Sequence, residues 1–390
     1  MLPVYSLYIH IPFCVSKCKY CDFFSVATGK KKVSQTYIDA LCKELSVRLP
    51  ENNIHRLKTI YIGGGTPSLL SHEQLVQIFS TIKSIVTITD DAEITIEVNP
   101  DDVTQNLLTS FKQVGVNRIS CGIQSMCNES LKYASRRADL FNNKKALDIL
   151  KGWEGKLSLD IICGLPEETE QSFMTGLKDL LEAEPDHISM YSLTIEDETP
   201  FGQLYNEGKL NLDFDFSDSL WIKAKEYLSD KGYFQYEVSN FARKGFECKH
   251  NLVYWNHEGY LGCGCGATGS LYKEDGTAIR ISNKNNINLY CNYWLSVSRE
   301  NAENPQNIEM VNLSDSIFEY FMMGLRKISG VQEKDFVDKF RMEIPENILN
   351  VLMSWNRKNL CEITGYAPQR TFTLGINGIL YLNKFLEEIL

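Results

Sequence analysis

Cys14, Cys18 and Cys21, in the run PFCVSKCKYCDFF, carry the strongest chemical signal in the chain. Three residues separate the first pair and two the second, so loop thiolates could converge on one metal centre. Two kinds of centre suit them. A structural zinc site wants four closed ligands, and His10 could be the fourth. An iron–sulfur cluster usually takes four cysteines; held by three, it leaves one iron open to another ligand. Cysteines this dense on a loop are seldom there only for packing. The chain has twelve cysteines in 390 residues, and the other nine are scattered. Cys263 and Cys265 read as packing, and Cys248 as a weaker candidate for metal or redox chemistry.

Further polar residues fall where a ligand beside that loop would lie. Gly63-Gly64-Gly65-Thr66-Pro67 follows an apolar run. Successive glycines permit positive φ and close backbone approach to a ligand; the pattern is not a dinucleotide fingerprint. Glu97 lies in EVNP, Gln124 follows RISCGI, Arg136 lies in the helical stretch after it, and Asp160 is inside SLDIICGLP. In barrel-like folds, ligands bind at the carboxyl ends of the strands. A carboxylate there can accept from ribose hydroxyls, and an arginine can pair with a carboxylate. Farther on, His250-Asn251-Leu252-Val253-Tyr254-Trp255 sets an imidazole beside two aromatic rings. Imidazole is a common axial ligand of heme iron, and His257 is a rival. Each of these residues has an alternative role as a cap, a core residue or a solvated side chain.

After YIHIPF, the cysteine spacing resembles the radical S-adenosylmethionine (SAM) superfamily. The resemblance implies a [4Fe–4S] cluster on Cys14, Cys18 and Cys21, with SAM chelating the open iron and being cleaved to a 5′-deoxyadenosyl radical. It also implies SAM contacts for Tyr8, Tyr20, Gly64, Gly65, Thr66, Glu97, Gln124, Arg136 and Asp160. RISCGIQS, DIICGLPEET, YSLTIEDETPF, YEVSNFA, YLGCGCGATGS and FEYFMMGLR are similar to the oxygen-independent coproporphyrinogen III oxidase group over nearly the whole chain. Phe23 stands where the true oxidases have a further cysteine, and thirteen residues precede Cys14. Those features and the HNxxYW match resemble the heme chaperone (HemW) branch. That branch implies heme as a cofactor, His250 as a heme ligand, and transfer to acceptor hemoproteins, including respiratory, membrane-associated ones. It also implies an electron donor such as flavodoxin or ferredoxin. Ala267-Thr268 departs from the pattern, since relatives often have histidine there. The alternatives are a coproporphyrinogen III dehydrogenase and a zinc-stabilised barrel without radical chemistry.

The elements that must position these residues alternate. Apolar, β-branched runs at 6–11, 59–62, 93–98, 118–123, 157–162 and 187–193 are separated by amphipathic stretches at 35–49, 72–86, 105–114, 128–150 and 170–182. That rhythm predicts an α/β fold, a parallel sheet with covering helices. Six units fit a partial (β/α)6 TIM-type barrel, which the resemblance also implies; a doubly wound sheet fits the pattern too. A helix is predicted over 216–231, then an irregular, glycine-rich and aromatic stretch to about residue 290. A smaller α+β unit follows, with helices over 314–327, 334–340, 346–356 and 377–389 around a hairpin, in winged-helix-like order. The expected organisation is a core barrel over 1–235, a segment with the HNxxYW motif over 236–305, and a C-terminal domain over 306–390.

Composition excludes other classes. With 43% hydrophobic and 23% charged residues, the chain reads as an ordinary globular protein. A formal net charge of −10 argues against nucleic acid as a main partner. Any positive charge for heme propionates must therefore be local, and Lys30-Lys31-Lys32 reads as a solvated loop rather than a docking site. No run approaches the roughly 20 apolar residues of a membrane span, and no basic-then-apolar leader opens the chain. A cytoplasmic setting with reduced thiols is expected.

Overall fold

Strand order decides between the two sheet architectures. In the computed structural model, which describes residues 1–29, 32–299 and 302–390, six parallel strands run across one sheet in chain order. They are β1 (Ser6–Ile11), β2 (Arg56–Gly64), β3 (Thr87–Val98), β4 (Arg118–Gln124), β5 (Lys156–Cys163) and β6 (His187–Ser192). Each pairs in parallel with the next. A doubly wound sheet reverses its order at a switch point; this one never does. Right-handed crossovers in one direction put all the helices on one face, which is the winding of a partial (β/α)6 barrel. Lys30 and Lys31 of the solvated-loop reading lie outside the described residues.

The covering helices are α1 (Gln35–Glu51), α2 (His72–Ile85), α3 (Gln105–Val114), α4 (Asn128–Tyr133), α5 (Leu140–Leu150) and α6 (Glu170–Leu181). Local chemistry sets their starts: Ser71 and Thr169 close capping boxes on α2 and α6, and Thr104 caps α3. The stretch predicted as one helix over 128–150 is two. Ser135 at φ 55 breaks it, and Asp139 accepts from Asn142 N to start α5. Arg136 therefore lies in a loop, not on a helix, which lets its side chain turn into the barrel mouth.

Outward positions such as Ile60, Ile62, Ile96, Ile119, Leu159 and Ile188 are fully buried under the helices. Inward positions are different: Tyr61, Glu97, Arg118, Ser120, Asp160 and His187 line a cavity. Parallel strands usually read apolar on both faces. Here every second residue is polar, so the concave side encloses a polar cavity instead of a packed core.

After β6 come α7 (Pro200–Asn206) and α8 (Phe214–Asp230), and then a segment that is more regular than predicted. β7 (Phe234–Gln235) pairs with β8 (Asn240–Ala242), which pairs antiparallel with β6. Helix α9 (Lys249–Trp255) leads to β9 (Leu261–Cys263), which adds in parallel to β1. Strands Thr268–Tyr272, Ala278–Asn283 and Gln306–Val311 form a separate antiparallel sheet, with α10 (Ile287–Leu295) between the last two. Glycine hides these strands from a hydropathy reading. A Cβ at Gly262 would sit 2.1 Å from Thr268 O, and one at Gly269 would sit 2.5 Å from Gly262 N, so the two backbones need the side-chain space.

A buried acid ties this segment to the barrel. Glu44 on α1 accepts from Gly264 N at 2.7 Å, Tyr290 OH at 2.5 Å and Asn283 Nδ2 at 2.8 Å. Arg48 donates to Glu44 at 3.2 Å and to Gly262 O at 2.7 Å. Leu271, Tyr290 and Trp294 join the barrel core. The C-terminal unit has its own core around Phe321, Phe336, Leu352, Trp355 and Phe372. Helices Leu313–Gly324, Glu333–Phe340 and Glu346–Arg357 pack there with strands Val331–Gln332, Thr371–Leu374 and Cys361–Thr364. The terminal helix predicted over 377–389 is two, Ile376–Leu380 and Leu382–Ile389. Among the described residues, no helix is long and apolar enough to cross a membrane.

Removing one partner of a buried ion pair leaves an uncompensated charge. Glu44→Ala should therefore lower the unfolding free energy by about 3–5 kcal/mol in denaturant titration. A loss under about 1 kcal/mol, the range of an exposed ion pair, would show that Glu44 does not lock the 261–290 segment to α1.

Candidate functional site

At the carboxyl ends of the barrel strands lies a cavity of about 730 Å³, and the loop after β1 forms its rim. Phe13 and Cys14 pair in parallel with Val26 and Ala27, which draws the chain between them into a closed lobe. Thr28 donates to Cys14 O from its amide at 2.7 Å and its hydroxyl at 3.1 Å. Lys19 N donates to Ala134 O at 3.1 Å, and Phe201 N donates to Lys19 O at 2.9 Å, so the ends of α4 and α7 hold the lobe. Cys14, Cys18 and Cys21 are half-buried, whereas the other nine cysteines are buried. The predicted trio stands apart from the packing cysteines by exposure as well as by spacing.

Thr66 Oγ1 donates to Cys14 Sγ at 3.3 Å, and Arg136 Nη1 to Cys18 Sγ at 3.6 Å. Burial pushes the Cys21 thiol up to about 11; the Phe23 amide opposes this, and Cys18 and Cys14 add to it. A thiolate in such a place needs a cation beside it. Among the described residues, no group of three or more His, Cys, Asp or Glu side chains is gathered around one ion position. His10, the candidate fourth zinc ligand, is already engaged with Tyr8 OH at 2.8 Å and Phe24 O at 2.9 Å. The donor set suits a multi-iron cluster, in which each thiolate takes its own iron, better than a closed zinc site.

The predicted SAM contacts mostly meet here. Tyr20, Gly64, Gly65, Thr66, Glu97, Gln124, Arg136 and Asp160 all line the cavity with the three cysteines. Gly64 has φ 110, and a Cβ there would sit 2.4 Å from the His10 ring; at Gly65 it would sit 2.7 Å from Phe13 O. Glu97 accepts from Tyr61 OH at 2.9 Å and from Gly64 N at 3.0 Å. Burial raises its pKa to about 7; the Tyr61 bond pulls it down and Asp160 pushes it up. Ser120 Oγ lies 3.0 Å from both Asp160 oxygens, and burial raises that acid too. Arg136 Nη2 donates to Gly122 O at 2.6 Å, while its buried Nε has no hydrogen-bond partner. Tyr8 lies outside the lining, its hydroxyl turned to His10.

His250 is elsewhere. It is fully buried, with Nδ1 paired to Thr59 Oγ1 and Nε2 to Tyr254 OH, both at 2.8 Å. Burial lowers its pKa to about 3, and neither ring nitrogen is open to a ligand in this arrangement. The nearby Cys248 and Asn251 do reach the cavity. The Cys248 thiol, pushed up to about 12 by burial, donates to Glu93 Oε1 at 3.4 Å. His257 is buried against Tyr272, Tyr320 and Phe340. Thr268 shares a 2.9 Å hydrogen bond with Ser282. Tyr61, Arg118, His187 and Tyr191 also line the cavity and were not singled out in the sequence. The polar residue at every second strand position was the signal that could have found them.

The radical SAM superfamily model matches residues 8–180. The chain is 35% identical over 393 residues to the heme chaperone HemW of Buchnera aphidicola subsp. Schizaphis graminum, covering 100% of this chain and 99% of that protein. It is 32% identical to the heme chaperone HemW of Escherichia coli, covering 100% and 99%, and 33% identical to that of Bacillus subtilis, covering 98% and 100%. Its fold is similar to that of the Escherichia coli coproporphyrinogen III oxidase HemN, a radical SAM enzyme, with a TM-score of 0.80. That match has 20% identity and covers 99% of this chain and 90% of the other.

Glu97 makes stability depend on pH. Its folded pKa of about 7 exceeds the ordinary 4.5, so the folded state holds the proton more tightly. The stabilisation is full below 4.5 and is lost as pH rises through about 7. In metal-free protein, Glu97→Gln should shrink the fall in unfolding free energy between about pH 4.5 and 8 by about 3 kcal/mol. An unchanged pH profile in denaturant titrations would show that this carboxyl titrates normally.

Proposed function

The chain belongs to the HemW family of the radical SAM superfamily, and on that premise we propose that it binds heme and delivers it to acceptor hemoproteins. In this reading Cys14, Cys18 and Cys21 hold a [4Fe–4S] cluster and SAM binds beside it. One observation carries the reading: three half-buried thiols meet a glycine cradle and an arginine with an unpartnered Nε at the barrel mouth.

Gly64, Gly65 and Thr66 leave backbone-wide room for the amino end of SAM. Glu97 and Asp160 face the cavity as acceptors for its hydroxyls. Arg136 and Gln124 supply donors, Tyr20 walls the site against Phe201, and Tyr8 acts from behind through His10. When bound, the cluster supplies an electron to the SAM sulfonium. The chain itself binds, orients and excludes water. Lys17, exposed on the cluster loop, gives a cationic rim for an acidic electron donor such as flavodoxin or ferredoxin. Phe23, 68% exposed at the same rim, presents an apolar face where a thiol would stand in the oxidases. This supports heme transfer over oxidative decarboxylation of coproporphyrinogen III. The acceptors in this reading include respiratory, membrane-associated hemoproteins reached from the cytoplasm. His250 is the heme ligand in this reading, and ligation through one ring nitrogen requires its bond to Thr59 or to Tyr254 to open.

Anaerobically purified protein should contain about four irons per chain, and Cys14→Ala should lose them; zinc without sulfide would refute the cluster. Incubation with coproporphyrinogen III, SAM and a reductant should give no protoporphyrinogen, and robust formation would overturn the transfer reading. His250→Ala should weaken heme binding about tenfold or more, as seen by optical titration, and leave the SAM-free cluster spectrum intact. Unchanged heme affinity would place the ligand elsewhere.

A further inference from the structure

The helix that carries His250 places Asn251 at the cavity, while the His250 ring meets the cavity wall through Tyr61. We propose that His250 and Tyr61 are positioning residues for Glu97: the imidazole seats the Tyr61 ring, and the Tyr61 hydroxyl sets the carboxylate that faces SAM. The proposal rests on the SAM reading above and goes beyond it by giving His250 a role in the absence of heme.

The geometry is continuous. Thr59 and Tyr61 are two positions apart on β2 and so face the same side. Thr59 Oγ1 holds one ring nitrogen of His250 at 2.8 Å and Tyr254 OH holds the other at 2.8 Å, so the ring cannot turn without losing a bond. In that orientation it stacks on Tyr61, with centroids 5.3 Å apart and planes 28° apart. Tyr8 also stacks on Tyr61, at 6.3 Å and 29°. The ring thus held puts its hydroxyl 2.9 Å from Glu97 Oε1, and Gly64 N holds Oε2 at 3.0 Å. Both carboxylate oxygens are therefore placed before SAM arrives.

Gly63 shows how tight the arrangement is. A Cβ there would come within 2.9 Å of both the Tyr61 ring and the Glu97 carboxylate. This glycine is required where Tyr61 and Glu97 meet, as Gly64 is required against His10. Tyr61 lines the cavity, and His250 does not, so His250 acts only through its neighbour.

The test measures SAM affinity by calorimetry on heme-free, cluster-reconstituted full chain, with iron content as a control. Glu97→Gln is the reference and should weaken SAM about tenfold. Tyr61→Phe keeps the stacked ring, deletes only the hydroxyl and is expected to fold; it should weaken SAM by about the same factor. His250→Ala frees the ring and should weaken SAM at least about threefold. Combined with Tyr61→Phe, it should add less than about twofold, because the route is already cut. A general packing defect would instead multiply the two losses. Multiplied losses overturn the proposal, as does Tyr61→Phe or His250→Ala within twofold of the unmodified chain while Glu97→Gln is weakened. Unchanged affinity in Glu97→Gln overturns the SAM reading itself, a different result from failure of the route alone.

Discussion

Glu93, Glu97, Arg118 and Asp160 all point into the barrel, where Glu93 and Arg118 are buried and Glu97 and Asp160 partly so, and the rest of the fold is arranged around that fact. An ionised group taken out of water is costly unless other groups replace its hydration. At the mouth, Ser120 and Ser158 reach Asp160, and Tyr61 and Gly64 reach Glu97. At the closed end Lys156 on β5 pairs with Glu93 at 3.5 Å, and further replacements come from outside the barrel strands. Phe246 O accepts from Arg118, while the Cys248 thiol and the His250 amide donate to Glu93. Tyr236 OH bonds His187, which bonds Ser158 in turn. The 236–256 segment thus adds to the partners that the inner face supplies.

That dependence explains why the middle segment is stitched so firmly to the core. β8 and β9 extend the sheet at its two edges, and Glu44 binds the loops that follow. The cluster loop has different requirements. Its thiols stay half-buried, and the loop is held by the pairing of Cys14 with Ala27, by the bonds of Lys19 to α4 and α7, and by donors from Thr66 and Arg136 to Cys14 and Cys18. A rigid polar barrel carrying an accessible lobe is a division of labour that favours a bound cofactor at the mouth.

Much of this could be read in the sequence because its signals are local. Strand–helix alternation, capping residues and the CxxxCxxC run each depend on neighbours a few positions away. The glycines of the Gly63–Gly65 run were read as room for a ligand, and the structure shows a second cause: His10, Phe13 and Glu97 crowd against them. The sequence puts Arg136 on a helix because nothing in Ala134-Ser135-Arg136 signals a break; Ser135 takes a positive φ there, and no breaker residue marks it. Tyr61 does not stand out in the sequence, because an aromatic residue in an apolar strand reads as core. Its hydroxyl has meaning only once β2 and β3 are paired and Glu97 lies opposite. The strands at 261–283 are not legible in the sequence because their glycines carry no hydropathy and serve contacts that no spacing rule describes.

His250 shows most clearly how a motif and its surroundings differ in meaning. The HNxxYW pattern offers an imidazole next to aromatic rings, and that chemistry suits heme. The fold places the same imidazole between Thr59 and Tyr254, under a tyrosine that orients an acid at the cavity. One ring cannot do both at once. If iron draws His250 away from Tyr61, the Glu97 carboxylate loses part of its support. By reciprocity, whatever fixes Glu97 favours the retracted imidazole. In the heme-transfer reading proposed above, ligation at this helix and occupancy of the barrel mouth would oppose each other through the stacked pair of His250 and Tyr61, 5.3 Å between ring centres.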